Sequence, residues 1–184
     1  MSKLETNTID TISGTSNLVI GSTNSSTVTF ENGAVTGHMY PAFEAYLSSD
    51  QNIADDTFTK ININTEVFDE GGYYDNSTNY RYTPLVAGKY FVYFSVCALV
   101  STASTLNTNG AIYKNGSASN GSNLIFNSNQ YGGSVMTTQI IDFNGSSDYI
   151  EFYLKVDVSS GTPRADANFN GLRTTFAGAY RIGA

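Results

Sequence analysis

Apolar and polar residues alternate along much of this sequence, and a period of two predicts β-strands. The segment 149–158 is the clearest example. Its apolar face consists of Ile150, Phe152, Leu154, Val156 and Val158. The segment 90–100 is apolar at nearly every position, as expected of a strand covered on both faces. Further strands are predicted at 58–68, 135–143 and 174–182, and no long window carries the spacing of an apolar helix face.

Six Asn-Gly pairs interrupt these segments, and both residue types tolerate the positive φ angles of tight hairpin turns. The pairs are Asn32-Gly33, Asn109-Gly110, Asn115-Gly116, Asn120-Gly121, Asn144-Gly145 and Asn170-Gly171. Short strands separated by such turns predict an all-β chain built as an antiparallel sandwich or barrel.

The composition excludes several classes of protein. Nine Lys and Arg residues stand against sixteen Asp and Glu residues in 184, a net charge of −7, so the chain lacks the basic surface that binds nucleic acid. The single cysteine, Cys97, excludes an intrachain disulfide and a zinc-thiolate cluster, and its apolar surroundings predict a buried, unreactive side chain. The longest apolar run, 90–100, is too short to span a bilayer, and the N-terminus lacks a signal-peptide core.

Residues 1–38 differ from the rest of the chain. They are mostly Thr, Ser, Asn and Gly, with β-spaced apolar residues at Ile9, Ile12, Leu18, Ile20, Val28 and Phe30. A single copy cannot bury enough surface to offset its chain entropy. Two interpretations stay open: a flexible tail, or an extended β-rich stem that wraps with copies from other subunits. Because Pro41 forces extended backbone, we predict a boundary between a 1–38 stem and a 39–184 head.

Six segments of the head carry a recognisable pattern in a fixed order. They are 42–45 (AFEA), 67–75 (VFDEGGYYD), Pro84 with 87–91 (AGKYF) and Phe94, 113–116 (YKNG), 148–152 (DYIEF) and 176–178 (FAG). In this order they resemble the C1q/TNF-like jelly-roll family. Glu70 stands where that family usually has Asn, and Ser147 where it has Gly.

The resemblance implies a jelly-roll of two antiparallel sheets that assembles as a homotrimer. Residues of the opening and closing strands would meet around the threefold axis, here Phe43, Tyr46, Phe176 and Tyr180. The chain has no collagen repeat, and its leading segment resembles instead the N-terminal part of bacteriophage tail-fibre proteins. In such a stem, three copies of Leu18, Ile20, Val28 and Phe30 would share one axial core.

Three segments, 70–82, 101–110 and 117–133, are rich in Tyr, Ser, Gly and Asn and are predicted to be loops. Tyrosine offers rigid amphipathic contact area, while Ser and Asn offer adaptable hydrogen bonds. These loops are therefore candidates for recognising a surface glycan or protein, with ordinary hydrophilic loops as the alternative. The candidate receptor-facing residues are Tyr73, Tyr74, Tyr80 and Tyr131.

The remaining polar residues predict no catalytic, cofactor or metal site. His38 is the only histidine, which excludes a Ser-His-Asp triad; three copies at an axis are the sole route to a histidine metal site. Asp69, Asp75 and Asn76 could ligate Ca²⁺, but their spacing matches no calcium loop, so solvated turn acids are the expectation.

The function predicted from the sequence is a non-enzymatic, homotrimeric phage virion appendage on the virion surface. Its stem would attach to other virion structural proteins, and its head would recognise a bacterial surface glycan or protein. The alternative is a capsid decoration or head-fibre protein that stabilises the shell. A polysaccharide-degrading enzyme and a cellular C1q-like lectin are the less favoured classes.

Overall fold

The computed structural model describes residues 41–183, and the regular secondary structure in that range consists of β-strands alone. The strands are β1 (Ala42–Tyr46), β2 (Gln51–Asn52), β3 (Thr59–Lys60), β4 (Thr65–Glu70), β5 (Tyr74–Asp75), β6 (Arg81–Tyr82), β7 (Gly88–Leu99), β8 (Thr105–Lys114), β9 (Ser117–Gln130), β10 (Gly132–Phe143), β11 (Ile150–Val158), β12 (Arg164–Asp166), β13 (Asn168–Phe169), β14 (Leu172–Arg173) and β15 (Phe176–Gly183). Within this range no helix is long and apolar enough to cross a membrane.

The strands form two antiparallel sheets and a small hairpin. The first sheet has the order β2-β12-β7-β15-β1-β4, and the second has the order β5-β6-β11-β8-β9 with β3 beside β11. Because the same residues of β7 pair with both β15 and β10, β10 must lie on the opposite edge of β7. The long strands β7 to β11 pass from the first sheet to the second, back to the first and again to the second. This arrangement confirms the predicted antiparallel sandwich.

The core lies between the two sheets and follows the predicted alternation. In β11 the side chains of Ile150, Phe152, Leu154 and Val156 are fully buried. They face the buried half of β7, where the ring centroids of Phe94 and Phe152 lie 5.1 Å apart. Burying each side chain of this size is worth about 1.5–3 kcal/mol, so this layer contributes strongly to the stability of the head.

One end of the core is aromatic. The ring of Phe43 stacks on Tyr74 at 4.5 Å and on Tyr82 at 4.4 Å, and the Tyr74 hydroxyl donates a hydrogen bond to the Ile63 carbonyl at 2.7 Å. Phe43 is therefore an internal core residue, and its predicted place at a threefold axis is wrong. Tyr74 is also buried, so its predicted place in a receptor-facing loop is wrong.

Some of the Asn-Gly pairs form hairpin turns, and others lie inside strands. Asn115-Gly116 and Asn170-Gly171 turn the β8–β9 and β13–β14 hairpins with positive φ at both residues, as predicted. Asn109-Gly110 and Asn120-Gly121 instead lie inside β8 and β9. At Gly110 an added Cβ would lie 2.8 Å from a Val135 methyl group, so this glycine serves the close approach of the sheets. Asn32-Gly33 lies outside the described residues.

Two of the three predicted loops are mostly strand. The segment 101–110 contains the first half of β8, and 117–133 is largely the fourteen-residue strand β9. Sequence periodicity missed β9 because it is an edge strand, exposed along most of its length, and backbone pairing with β8 holds it in place. The segment 58–68, predicted as one strand, contains β3 and the first residues of β4, separated by irregular backbone.

Candidate self-association surface

The outer face of the first sheet, directed away from the core, is aromatic at its centre. In β7 the side chains of Tyr90, Val92 and Phe94 are buried in the core, whereas Phe91 and Tyr93 are half-buried on the opposite face. This strand was predicted to be covered on both faces because it is apolar throughout. Among residues 41–183, only one of its two faces is fully covered.

Strand register places further apolar side chains beside Phe91 and Tyr93. Phe91 pairs with Tyr180 of β15 on one side and with Ile140 of β10 on the other. In another row across the sheet, Tyr46 pairs with Phe176, Phe176 pairs with Ser95, and Ser95 pairs with Met136. We call this surface the outer aromatic face. It consists of Tyr46, Phe68, Phe91, Tyr93, Phe176 and Tyr180, with Met136 and Ile140 at the β10 edge.

The rings of this face contact one another, and all except Phe68 are half-buried. The guanidinium of Arg173 lies over the Tyr46 ring, 3.9 Å from its centroid. The centroids of Phe91 and Tyr180 are 5.5 Å apart, and those of Tyr93 and Phe176 are 6.3 Å apart. At the β10 edge, Met136 and Ile140 are 56% and 60% exposed. A continuous patch of this kind on a β-sheet marks an interaction surface.

The centre of the face holds one polar contact. The Tyr93 hydroxyl donates a 2.6 Å hydrogen bond to Oε2 of Glu44, and Gly178 lies between the two in the register. A Cβ at Gly178 would lie 2.3 Å from the Tyr93 hydroxyl oxygen, so only glycine lets the ring cross β15. Burial, reinforced by Glu44, raises the pKa of Tyr93. Glu44 lies in the row that runs across the sheet from Phe68 to Tyr93, and this contact engages its carboxylate in a hydrogen bond.

Three of the residues predicted for a threefold axis lie on this face, namely Tyr46, Phe176 and Tyr180. Whether they contact another subunit stays a prediction. Sequence reasoning missed Phe91, Tyr93 and the β10 edge, although the two-faced apolar character of 90–100 was a signal for them. The predicted stem residues Leu18, Ile20, Val28 and Phe30, the stem itself and His38 lie outside the described residues.

The remaining tyrosines predicted to face a receptor do not form one cluster. Tyr73 is half-buried and packs against the core, Tyr80 is half-buried, and Tyr131 is 62% exposed where β9 meets β10. No ring contact joins these three side chains in the described part of the chain. Their role in recognition stays a prediction.

Two acidic residues, Asp69 and Asp75, stabilise the backbone around the 70–82 segment. The Asp75 carboxylate accepts backbone N–H groups from Ser77, Thr78 and Asn79 at 2.8–3.1 Å, and these hydrogen bonds lower its pKa. Asp69 accepts the backbone N–H of Tyr74 at 2.9 Å. Both oxygens of Asp75 are thus engaged with the protein, whereas Oδ1 of Asp69 is buried without a hydrogen-bond partner. The calcium alternative stays a prediction. Cys97 is buried and unpaired, and burial raises the pKa of its thiol.

Comparison with solved structures identifies the fold. The chain is similar to Eiger TNF from S. frugiperda (TM-score 0.56, 9% identity, 79% of this chain and 94% of that one). It is also similar to murine APRIL (TM-score 0.55, 12% identity, 77% and 98%) and to PRD1 vertex protein P5 (TM-score 0.52, 14% identity, 80% and 100%). No protein-family model matches the chain, and no curated protein matches it in sequence.

The fold is thus a TNF-like jelly-roll, as the sequence resemblance predicted. At 9–14% identity these likenesses concern the fold alone.

Proposed function

We propose that the protein is a homotrimeric, non-enzymatic component of a phage virion surface, assembled through the outer aromatic face. The observation that carries the proposal is that face itself: a continuous aromatic surface on the outside of a TNF-like jelly-roll sheet. The sequence resemblance to the C1q/TNF-like family supplies the threefold arrangement.

The energetics favour covering this surface with copies of the same chain. Each side chain that goes from half-buried to fully buried gains part of the 1.5–3 kcal/mol that full burial is worth. Three subunits would multiply that gain. The central carboxylate, Glu44, already accepts a hydrogen bond from Tyr93, which offsets part of the desolvation cost of burying its charge.

Two observations support a place on a virion. The likeness to PRD1 vertex protein P5 shows that a particle protein can be built on this fold. The Thr/Ser/Asn-rich leading segment resembles the lead-in of tail-fibre proteins. In this proposal residues 1–38 bind other virion structural proteins, and the head recognises a bacterial surface, as in a tail fibre or spike. Three or more heads per particle would strengthen individually weak contacts.

One observation favours a second candidate function. The solved phage protein with this fold is a vertex protein by name, which supports a capsid decoration or head-fibre role with a shell-stabilising task. The two candidates share the trimer and differ in location and in whether the head binds the host.

The trimer is tested by light scattering on the purified full-length chain. We expect a mass three times the 19.8 kDa of one chain. A stable monomer at micromolar concentration would contradict the proposed homotrimer.

The two candidate roles are separated by immunogold labelling of the particle, followed by adsorption competition with the full-length trimer. Tail labelling with competition for adsorption supports the appendage that recognises host. Capsid labelling without competition supports the decoration protein.

A further inference from the structure

The outer face of the second sheet carries a different set of side chains. Tyr153 and Lys155 of β11 point to this side, as do Tyr113 and Asn109 of β8. All four are half-buried, whereas their neighbours along each strand face the core. This surface lies on the opposite side of the sandwich from the outer aromatic face, so a trimer built on that face leaves it free.

Two tyrosines form a stacked pair on this surface. The ring centroids of Tyr113 and Tyr153 are 4.0 Å apart with 26° between the planes, and Phe58 meets Tyr113 edge-on at 6.0 Å. Across the sheet, Tyr153 pairs with Ala111 of β8, and Ala111 pairs with Gly121 of β9. The cross-strand neighbours of Tyr153 toward β9 are therefore small residues.

A hydrogen bond to Glu151, two residues away in β11, orients Tyr153. Its hydroxyl donates to Glu151 at 3.3 Å, and Glu151 is itself buried and paired with Lys60 at 3.1 Å. Burial and the nearby Glu151 carboxylate raise the pKa of Tyr153 to about 12, so the phenol is neutral at physiological pH. A rigid, neutral ring of this kind loses little entropy when a ligand stacks on it.

A ladder of planar polar groups adjoins the rings. Asn109 donates to Asn107 at 2.7 Å, and Asn107 donates to Asp157 at 3.1 Å. Each amide carries two donor hydrogens and two acceptor lone pairs, so these bonds leave donor and acceptor capacity for a ligand. Such groups match the paired hydroxyls of a sugar ring.

The charges on this surface largely cancel. Lys155 pairs with Asp56 at 2.6 Å, and Lys60 pairs with Glu151. Asp157 is hydrogen-bonded to Asn107. Together with the net charge of −7 on the chain, this balance disfavours a polyanionic ligand.

We propose that this surface, the tyrosine–asparagine platform of Tyr113, Tyr153, Asn107 and Asn109, binds a neutral glycan. The apolar faces of sugar rings stack on the tyrosine pair, and their hydroxyl groups bond to the amide ladder. The inference rests on the proposed recognition of a bacterial surface and assigns it to a sheet face instead of the predicted loops.

The test is binding of the full-length protein to an array of neutral glycans (glucans, galactans, mannans) and anionic ones (alginate, hyaluronan). Wild type binds neutral members, and Tyr153→Ala weakens that binding by at least about tenfold, the loss of one ring contact. Tyr153→Phe keeps the ring but loses the hydrogen bond to Glu151 that orients it, so it weakens binding less than Tyr153→Ala does. Asn109→Ala, which leaves the rings untouched, also weakens binding.

Several outcomes overturn the platform. They are no binding to any neutral glycan at millimolar concentration, binding confined to anionic glycans, and binding that Tyr131→Ala abolishes while Tyr153→Ala leaves it intact. Conversion of the trimer to single chains by Tyr153→Ala would show instead that this face contacts a second copy. Light scattering and thermal melting of each variant identify those that fail to fold.

The same variants separate this inference from the proposed function. If wild type competes for phage adsorption and Tyr153→Ala competes equally well, host recognition stands and the platform is wrong. If wild type does not compete, host recognition fails whatever the array shows.

Discussion

The two sheets share one core but differ in their outer surfaces. On the first sheet, Phe91 packs beside Tyr180 and Phe176 beside Tyr93, and these side chains are half-buried. On the second sheet, Tyr113 and Tyr153 are accompanied by ion pairs and amides that satisfy one another within the chain. Both surfaces are rich in aromatic residues, so aromatic content alone does not distinguish them.

The difference lies in what the surrounding residues do. Around the outer aromatic face most neighbours are further apolar side chains, so covering it with protein gains mainly from the release of water. Its central carboxylate, Glu44, carries a desolvation cost that the hydrogen bond from Tyr93 partly offsets. Around the tyrosine–asparagine platform the neighbours are hydrogen-bonding groups, whose desolvation is costly unless a ligand replaces the water. One surface therefore fits subunit contact, and the other fits a hydroxyl-rich ligand.

The sharpest way to break this comparison is a charge at Ile140. This residue is 60% exposed in the single chain, so Ile140→Asp should change the stability of an isolated head by no more than about 0.5 kcal/mol. In a trimer the same carboxylate would be buried without a partner, at a cost on the order of several kcal/mol per subunit. We expect light scattering to show single chains.

The matched control is Ile125→Asp. Ile125 is 70% exposed on the second sheet, across from Asn107. Ile125→Asp should leave the trimer intact. A trimer that survives Ile140→Asp, or that dissociates equally with both variants, would show that the outer aromatic face is not the subunit contact.

A second substitution asks whether both surfaces depend on the one core. Phe152 is fully buried between the sheets and contacts Phe94 and Phe43. Phe152→Ala should reduce the free energy of unfolding by about 3–5 kcal/mol, through lost burial and the cavity that remains. Urea denaturation measures the change, with Tyr153→Ala on the next residue as the control. An equal loss in both variants would contradict the assignment of faces in β11.

A third substitution tests the centre of the outer aromatic face. Gly178→Ala places a methyl group where the Tyr93 hydroxyl and the Phe43 carbonyl already lie, at 2.3 Å and 2.7 Å. The ring must move and its hydrogen bond to Glu44 must break, at a cost of about 1–3 kcal/mol. Thermal melting should show the loss. Gly183→Ala, with no atom within 4 Å of the new Cβ, should melt like wild type.

Alternation predicted the parts of the fold that are half-buried. β11 follows the sequence period residue by residue because one face meets the core and the other meets water. β9 could not be found in this way, since an edge strand with little buried surface needs no apolar period. The Asn115-Gly116 turn predicted the start of the hairpin, but the length over which β9 pairs with β8 leaves no apolar period in the sequence.

The candidate sites show the same division. The family resemblance assigned both Phe43 and Tyr46 to one interface, yet residues three apart in a strand lie on opposite faces, and the structure buries only Phe43 in the core. The Tyr113–Tyr153 stack joins two strands whose register the sequence does not fix, so neither residue was singled out. Properties local to one strand were predictable, and those that need two strands were not.

The smallest expected effect concerns the ionisation of the platform. Because the pKa of Tyr153 is raised to about 12, above the ordinary tyrosine value of about 10, its contribution to stability is complete below pH 10. That contribution is lost as the pH rises through 12, since the unfolded chain releases the proton first. Tyr153→Phe removes this group, so stability should fall less steeply between pH 10 and 12 than in wild type. Urea denaturation at each pH measures the slope, with Tyr131→Phe as the control at an exposed tyrosine. Identical slopes for wild type and Tyr153→Phe would show that burial and Glu151 do not raise the pKa of Tyr153.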